Sequence, residues 1–80
     1  MKIKEISELT GLTKKTIRYY EAEGLLNPEK RWLNGREYRD YSHADVAQLE
    51  KIAALRRARF SVEEIRRIES VPADIPTVFQ

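Results

Sequence analysis

Apolar residues in the first third of the chain fall into two short runs at helical spacing. Ile3, Ile6 and Leu9 lie three apart and predict a helix whose inner face they share. Thr10-Gly11-Leu12 interrupts it, and Gly11 is free to take the left-handed conformation that ends a helix in a tight turn. Thr13 follows as a side-chain N-cap for a second helix. There Ile17 and Tyr20 point inward, while Lys14, Lys15, Thr16, Arg18 and Tyr19 are left on the outer side. Gly24 ends the second helix, and Leu25-Leu26 return to the core ahead of Pro28. Two short helices hinged at a glycine form a helix-turn-helix.

The pattern changes over residues 30–41, KRWLNGREYRDY. Asn34-Gly35 between two aromatic-containing runs predicts a hairpin, because a type I′ turn needs positive φ at both central residues. Alternation puts Arg36 and Tyr38 on one face of the second strand and Glu37, Arg39 and Tyr41 on the other. Trp32 is expected to pack across the hairpin. Ser42 with Asp45 forms a capping box that opens a third helix, with Val46, Leu49, Ile52, Ala53 and Leu55 at helical spacing. Ser61 with Glu64 opens a fourth, shorter helix containing Val62, Ile65 and Ile68. Phe60 precedes that cap and is placed to staple against Ile65. Pro72 stops the fourth helix. Residues 71–80 carry two prolines and no periodicity, and read as a linker or as the start of a truncated C-terminal region. The expected fold is mainly α: one domain over residues 1–70, a winged helix-turn-helix of four helices with a short two-stranded β-hairpin wing.

Composition narrows the function. Eighty residues make one small domain, and 41% hydrophobic with 35% charged residues suits a globular helical one. No apolar run approaches a membrane span, and the N-terminus is amphipathic with mixed charge rather than a signal peptide, so a cytoplasmic, nucleoid-associated location is expected. There are no cysteines, which removes disulfides, thiolate metal sites and cysteine nucleophiles. His43, the single histidine, has no second histidine or cysteine to share a metal. No glycine-rich phosphate loop occurs. An enzyme is therefore not expected, nor a cofactor or metal. The net charge of +2 is small, but residues 1–41 hold nine Lys/Arg against seven Asp/Glu and the remainder is balanced. The excess sits with the helix-turn-helix.

The segments TGLTKKTIRYYEAEGLL and NGREYRDYS, then a helix and FSVEEIRRI, follow one another in an order that resembles the DNA-binding domain of the MerR family of bacterial transcription regulators. The resemblance runs from Ile3 to Ile68. It implies a winged helix-turn-helix whose second helix enters the major groove. The wing and Arg18-Tyr19-Tyr20 would grip the backbone of double-stranded DNA, and a homodimer would bind a palindromic promoter site and act there on transcription, with RNA polymerase a further partner. Three departures stand out. The family's long dimerisation helix and the effector-binding segment after it are not found in these 80 residues, which read either as the DNA-binding part of a longer protein or as a short form that dimerises or multimerises differently. Arg59 stands where the family often has glycine; a left-handed Arg59 would cost roughly 1 kcal/mol. The family's Tyr-Arg-x-Tyr maps onto Tyr38-Arg39-Asp40-Tyr41, leaving Arg36 and Glu37 as two extra residues in the wing.

The candidate contacts follow from what DNA requires: cations for phosphates, and donors or methyl groups for base edges. Thr13, Lys14, Lys15 and Thr16 begin the second helix, where Lys can donate to guanine and Thr can bond a base or meet a thymine methyl. Arg18 is expected on a phosphate or base, the alternative being a surface ion pair with Glu21. Tyr19 is the more exposed phosphate ligand; Tyr20 is core, with its hydroxyl toward a phosphate. Arg36, Tyr38, Arg39 and Tyr41 interleave basic and aromatic residues on the wing, Tyr41 being the one most expected to pack inward. Arg56, Arg57, Arg66 and Arg67 read as solvated faces. Two other readings use the same fold: a short architectural protein resembling an excisionase, which bends DNA, or a protein-interaction module.

Overall fold

The computed structural model describes residues 1–70. Its elements run α1 (Ile3–Thr10), α2 (Lys14–Ala22), β1 (Glu29–Leu33), β2 (Arg36–Asp40), α3 (His43–Arg57) and α4 (Val62–Glu69). These are the four helices and two-stranded wing the pattern predicts. The expected stop at Pro72 and the linker over 71–80 lie outside the described residues.

Helices of eight or nine residues are marginal alone, so their ends and one shared core must hold them. The ends are well supplied. Ser7 Oγ donates to the Leu12 carbonyl at 2.6 Å, and Thr10 Oγ1 donates to the Ile6 carbonyl while accepting from the Leu12 N–H, which fixes the turn around Gly11 at φ +75°. Thr13 caps α2, and both expected capping boxes are present at Ser42/Asp45 and Ser61/Glu64. Two helices end in the same way. Gly24 bonds to the Glu21 carbonyl and Leu25 to the Tyr20 carbonyl; Arg59 bonds to the Arg56 carbonyl and Phe60 to the Leu55 carbonyl. These are paired Schellman closures, and each needs a left-handed residue. Gly24 takes it at φ +81° without cost, whereas Arg59 takes it at φ +72° against its own Cβ.

Ile6, Ile17, Tyr20, Leu25, Leu26, Tyr41, Leu49, Ile52 and Ile65 form the core, drawn from α1, α2, the α2–β1 connection, the end of the wing, α3 and α4. Leu9 is a correction to the expected inner face: it is 53% exposed. Three-residue steps each fall about 60° short of a full turn, so Leu9 lies about 120° round the helix from Ile3. Trp32 is the second. It is 71% exposed rather than packed across the hairpin, because its cross-strand neighbour is Glu37 and no helix among the described residues covers that face.

Two clusters tie the helices together through side chains. Arg66 of α4 donates to the Glu23 carbonyl at 3.1 Å and to the Glu23 carboxylate at 2.6 Å, holding the end of α2. Arg66 is thus half-buried in a cross-helix clamp rather than on a solvated face. Gln48 of α3 donates to the Leu25 carbonyl and to Glu69, which also pairs with Lys51 at 2.6 Å.

Relieving the left-handed strain predicts that Arg59→Gly stabilises the chain by about 0.5–1 kcal/mol in urea unfolding; a loss of stability would contradict the reading of φ at this residue. Acid should act in a defined direction. The Ser61 backbone N–H and hydroxyl hold the Glu64 carboxyl below its usual 4.5, and the Lys51 and Gln48 side chains do the same for Glu69. Carboxyls depressed by folding stabilise the fold above their unfolded pKa, and that contribution is lost as pH falls through the folded value. The melting temperature should therefore drop below about pH 4.5, and more shallowly in Glu64→Gln.

Candidate nucleic-acid interface

The outer side of α2 is built from its N-cap upward. Thr13 Oγ1 accepts the Thr16 N–H at 3.1 Å and donates its own proton to Thr16 Oγ1 at 2.9 Å. Thr13 is thereby spent as a cap, and it is the Thr16 hydroxyl that keeps a proton to donate outward. Lys14, Lys15, Arg18 and Tyr19 follow, all exposed, with no side-chain hydrogen bond or ion pair among the described residues. Tyr20 is 7% exposed and packs its ring in the core, its centroid 5.6 Å from that of Tyr19.

The alternative ion pair between Arg18 and Glu21 does not form, for a local reason. Glu21 Oε2 accepts from Arg39 Nε at 2.9 Å, and Glu21 Oε1 accepts the Tyr41 hydroxyl at a long 3.4 Å. Arg39 also donates to Glu37 at 3.1 Å. The Glu21 carboxylate thus ties the wing to α2 and leaves Arg18 without an anionic partner among the described residues. The electrostatics match: Glu21 raises the Arg39 pKa, while burial, then Glu21, pushes the Tyr41 phenol up. Tyr41 is 3% exposed and belongs to the core, as its expected inward packing requires.

The wing is a five-pair antiparallel hairpin, Glu29↔Asp40 to Leu33↔Arg36, and its tip is Asn34-Gly35 at φ +52° and +77°. Positive φ at both central residues is what the Asn-Gly signal predicts. At its base Arg31 pairs with Glu29 and Asp40, and Asp40 also accepts from the Met1 ammonium at 2.8 Å. That ammonium and Arg31 hold the Asp40 carboxyl below its ordinary range.

Between α1, α2 and the wing lies an open cleft of about 580 Å³. It brings together Arg18, Tyr38, Arg39 and Tyr41 of the expected residues, and adds Lys2. Thr13, Lys14, Lys15, Thr16 and Tyr19 lie outside it along α2, and Arg36 lies near the wing tip. Sequence reasoning missed Lys2, which sits at the N-cap of α1 where no periodicity points to it.

The sequence matches the model for MerR helix-turn-helix regulatory proteins over residues 1–70. The chain belongs to the MerR family. This is the helix-turn-helix DNA-binding domain found in that family of transcription regulators. The chain is 46% identical over 74 residues to the transcriptional regulator HmrR of Rhizobium leguminosarum, covering 92% of this chain and 55% of the relative. It is 39% identical over 64 residues to CueR of Escherichia coli (80% and 46%), and 40% identical over 65 residues to AdhR of Bacillus subtilis (81% and 45%). The chain thus spans about half the length of these relatives. The solved N-terminal part of MtaN, the Bacillus subtilis multidrug transporter activator, superposes with a TM-score of 0.79 at 26% identity, covering 99% of this chain and 73% of that one. These MerR relatives are named as regulators, not enzymes. Among the described residues, no group of three or more His, Cys, Asp or Glu could hold a metal, and no helix is long and apolar enough to cross a membrane.

Glu21→Gln should free the wing from α2 without opening the core. Amides of Arg36–Asp40 are then expected to exchange with solvent severalfold faster, roughly as a lost tether permits, while Leu49 and Ile52 keep their protection. Equal acceleration throughout would show that Glu21 serves the whole fold rather than the wing.

Proposed function

We propose that this domain reads double-stranded DNA with the N-terminal end of α2 in the major groove and the wing on the adjoining backbone. It serves a regulator that acts as a homodimer at a palindromic promoter site, in the cytoplasm at the nucleoid. The observation that carries this is the row of cations Lys14, Lys15 and Arg18, without a carboxylate partner among the described residues, on the exposed side of a capped helix, with the Thr16 hydroxyl beside them. A row of cations without internal carboxylates is a face whose counter-charge comes from outside the molecule, and phosphate is the matching anion.

The roles divide by geometry. Lys14, Lys15 and Thr16 reach base edges, with Thr13 holding the helix start. Arg18 and Tyr19 take phosphates, and the Tyr20 hydroxyl approaches the backbone from a buried ring. Arg18 and Lys2 line the cleft beside Tyr38; its two carboxylates, Glu21 and Glu37, are engaged by Arg39, which leaves the Arg18 and Lys2 cations to meet a phosphate. Arg39 and Tyr41 keep the wing beside α2 through Glu21, and Arg36 extends the contact toward the wing tip. Residues 1–70 form the reading domain, with 71–80 leading toward a dimerisation helix of the kind the longer relatives have room for. Contact with RNA polymerase would then turn binding into a change in transcription.

The test is fluorescence anisotropy on a duplex bearing the promoter of the protein's own gene and on a scrambled duplex, with salt stepped from about 50 to 200 mM. Tighter, salt-sensitive binding to the promoter is expected. Arg18→Ala should weaken binding to both duplexes and lower the salt slope by about one, while Lys15→Ala should change the preference between them. An unchanged slope in Arg18→Ala would contradict a phosphate contact at this residue.

A further inference from the structure

Two exposed patches outside the α2 face and the wing carry opposite charge. On α1, Glu5, Glu8 and Leu9 lie at helical spacing and share one exposed stripe. Leu9 is 53% exposed, and neither carboxylate forms an ion pair among the described residues, not even with Lys4 one turn before Glu8. The second patch is the turn between α3 and α4. There Arg56, Arg57 and Arg59 are exposed without a carboxylate partner among the described residues, around a Phe60 that is 36% exposed. Arg56 donates to the Phe60 carbonyl at 3.0 Å. Arg59 adds its guanidinium from the left-handed position at φ +72°, where glycine would be free of strain.

The two patches form no ion pair with each other inside the chain. The Tyr41 N–H donates to the Met1 carbonyl at 2.8 Å, which starts α1 beside the start of α3. The arginines lie at the other end of α3, about 22 Å along its axis. Like patches repel, so a two-fold contact of α1 on α1, or of turn on turn, is disfavoured. The charges and the two exposed apolar side chains instead match α1 of one copy to the turn of another. A head-to-tail contact of this kind does not close on itself and can repeat along a row.

We propose that α1 of one copy, through Glu5, Glu8 and Leu9, docks on the α3–α4 turn of a second copy bound beside it on the same duplex, at Arg57, Arg59 and Phe60. This rests on DNA binding by α2, and adds to it cooperative loading of neighbouring copies. One leucine, one phenylalanine and a few exposed ion pairs make a contact too small to hold two free chains together. A duplex that already carries both copies supplies the effective concentration the contact needs.

The full chain is titrated at about 50 mM salt onto labelled duplexes of one repeated sequence, roughly 15 and 60 base pairs long, so that the short duplex has room for one copy and the long one for several. The wild-type chain is expected to fill the long duplex cooperatively, a copy beside a neighbour binding about tenfold tighter than one alone on the short duplex. Glu8→Lys and Arg57→Glu should each lose this cooperativity. An equimolar mixture of the two variants should regain it, because each then offers the other the opposite charge. A non-cooperative wild-type curve, or a mixture that stays non-cooperative, overturns the contact between copies and leaves DNA reading by α2 intact. Absence of wild-type binding to both duplexes overturns the DNA-binding reading, and the contact with it.

Discussion

A two-stranded hairpin buries almost nothing by itself, so its usefulness depends on whatever fixes it to a folded body. Here one half-buried carboxylate, Glu21, accepts from Arg39 of β2 and from the Tyr41 hydroxyl just beyond it. With the Tyr41 ring in the core, this contact makes α2 and the wing one surface. The same contact governs charge. By engaging Arg39, Glu21 is withdrawn from Arg18, its helix neighbour three residues away. One anion therefore both places the wing and leaves a cation exposed beside it. A glutamate drawn to Arg18 instead would give a looser wing and a neutralised helix face.

Beneath this surface the energetics are those of a small domain with little to spare. Among the described residues the nine buried hydrophobic side chains of the core come from all four helices and the connections around the wing, so no helix has a private core. Short helices then need satisfied ends, and Thr13, Ser42 and Ser61 supply the caps. Arg66 and Gln48 reach from α4 and α3 to the carbonyls of Glu23 and Leu25, where α2 ends. The segment that orients α2 is thus held from both sides, which suits a helix whose angle decides what it can touch. Family membership and the likeness to the MtaN N-terminal part agree with this architecture.

Most of the fold was legible because local rules and the global structure agree. Asn34-Gly35 takes the positive φ values its composition calls for, and the Ser-x-x-acid pairs close capping boxes where they stand. What was not legible depends on distant pairs. Nothing in residues 18–21 tells that Glu21 is claimed by Arg39, because that contact joins residues eighteen apart. Arg66 read as a solvated face for the same reason, its partner Glu23 being 43 residues away. Leu9 and Trp32 failed differently: spacing or aromatic character implied burial, and among the described residues no surface covers them. Of the site, the α2 face could be read from residue type and position, whereas the cleft, and Lys2 within it, exists only once α1, α2 and the wing meet.

We propose that α2 and the wing act on DNA as a single surface. Amide resonances of the chain followed during titration with a promoter duplex test it most directly. Thr13–Tyr19 and the wing around Leu33–Tyr38 are expected to shift together along one saturating curve, while exposed positions of α3 and α4 such as Glu50 and Arg67 stay in place. Shifts confined to α4, or a wing that does not respond while α2 does, would contradict it.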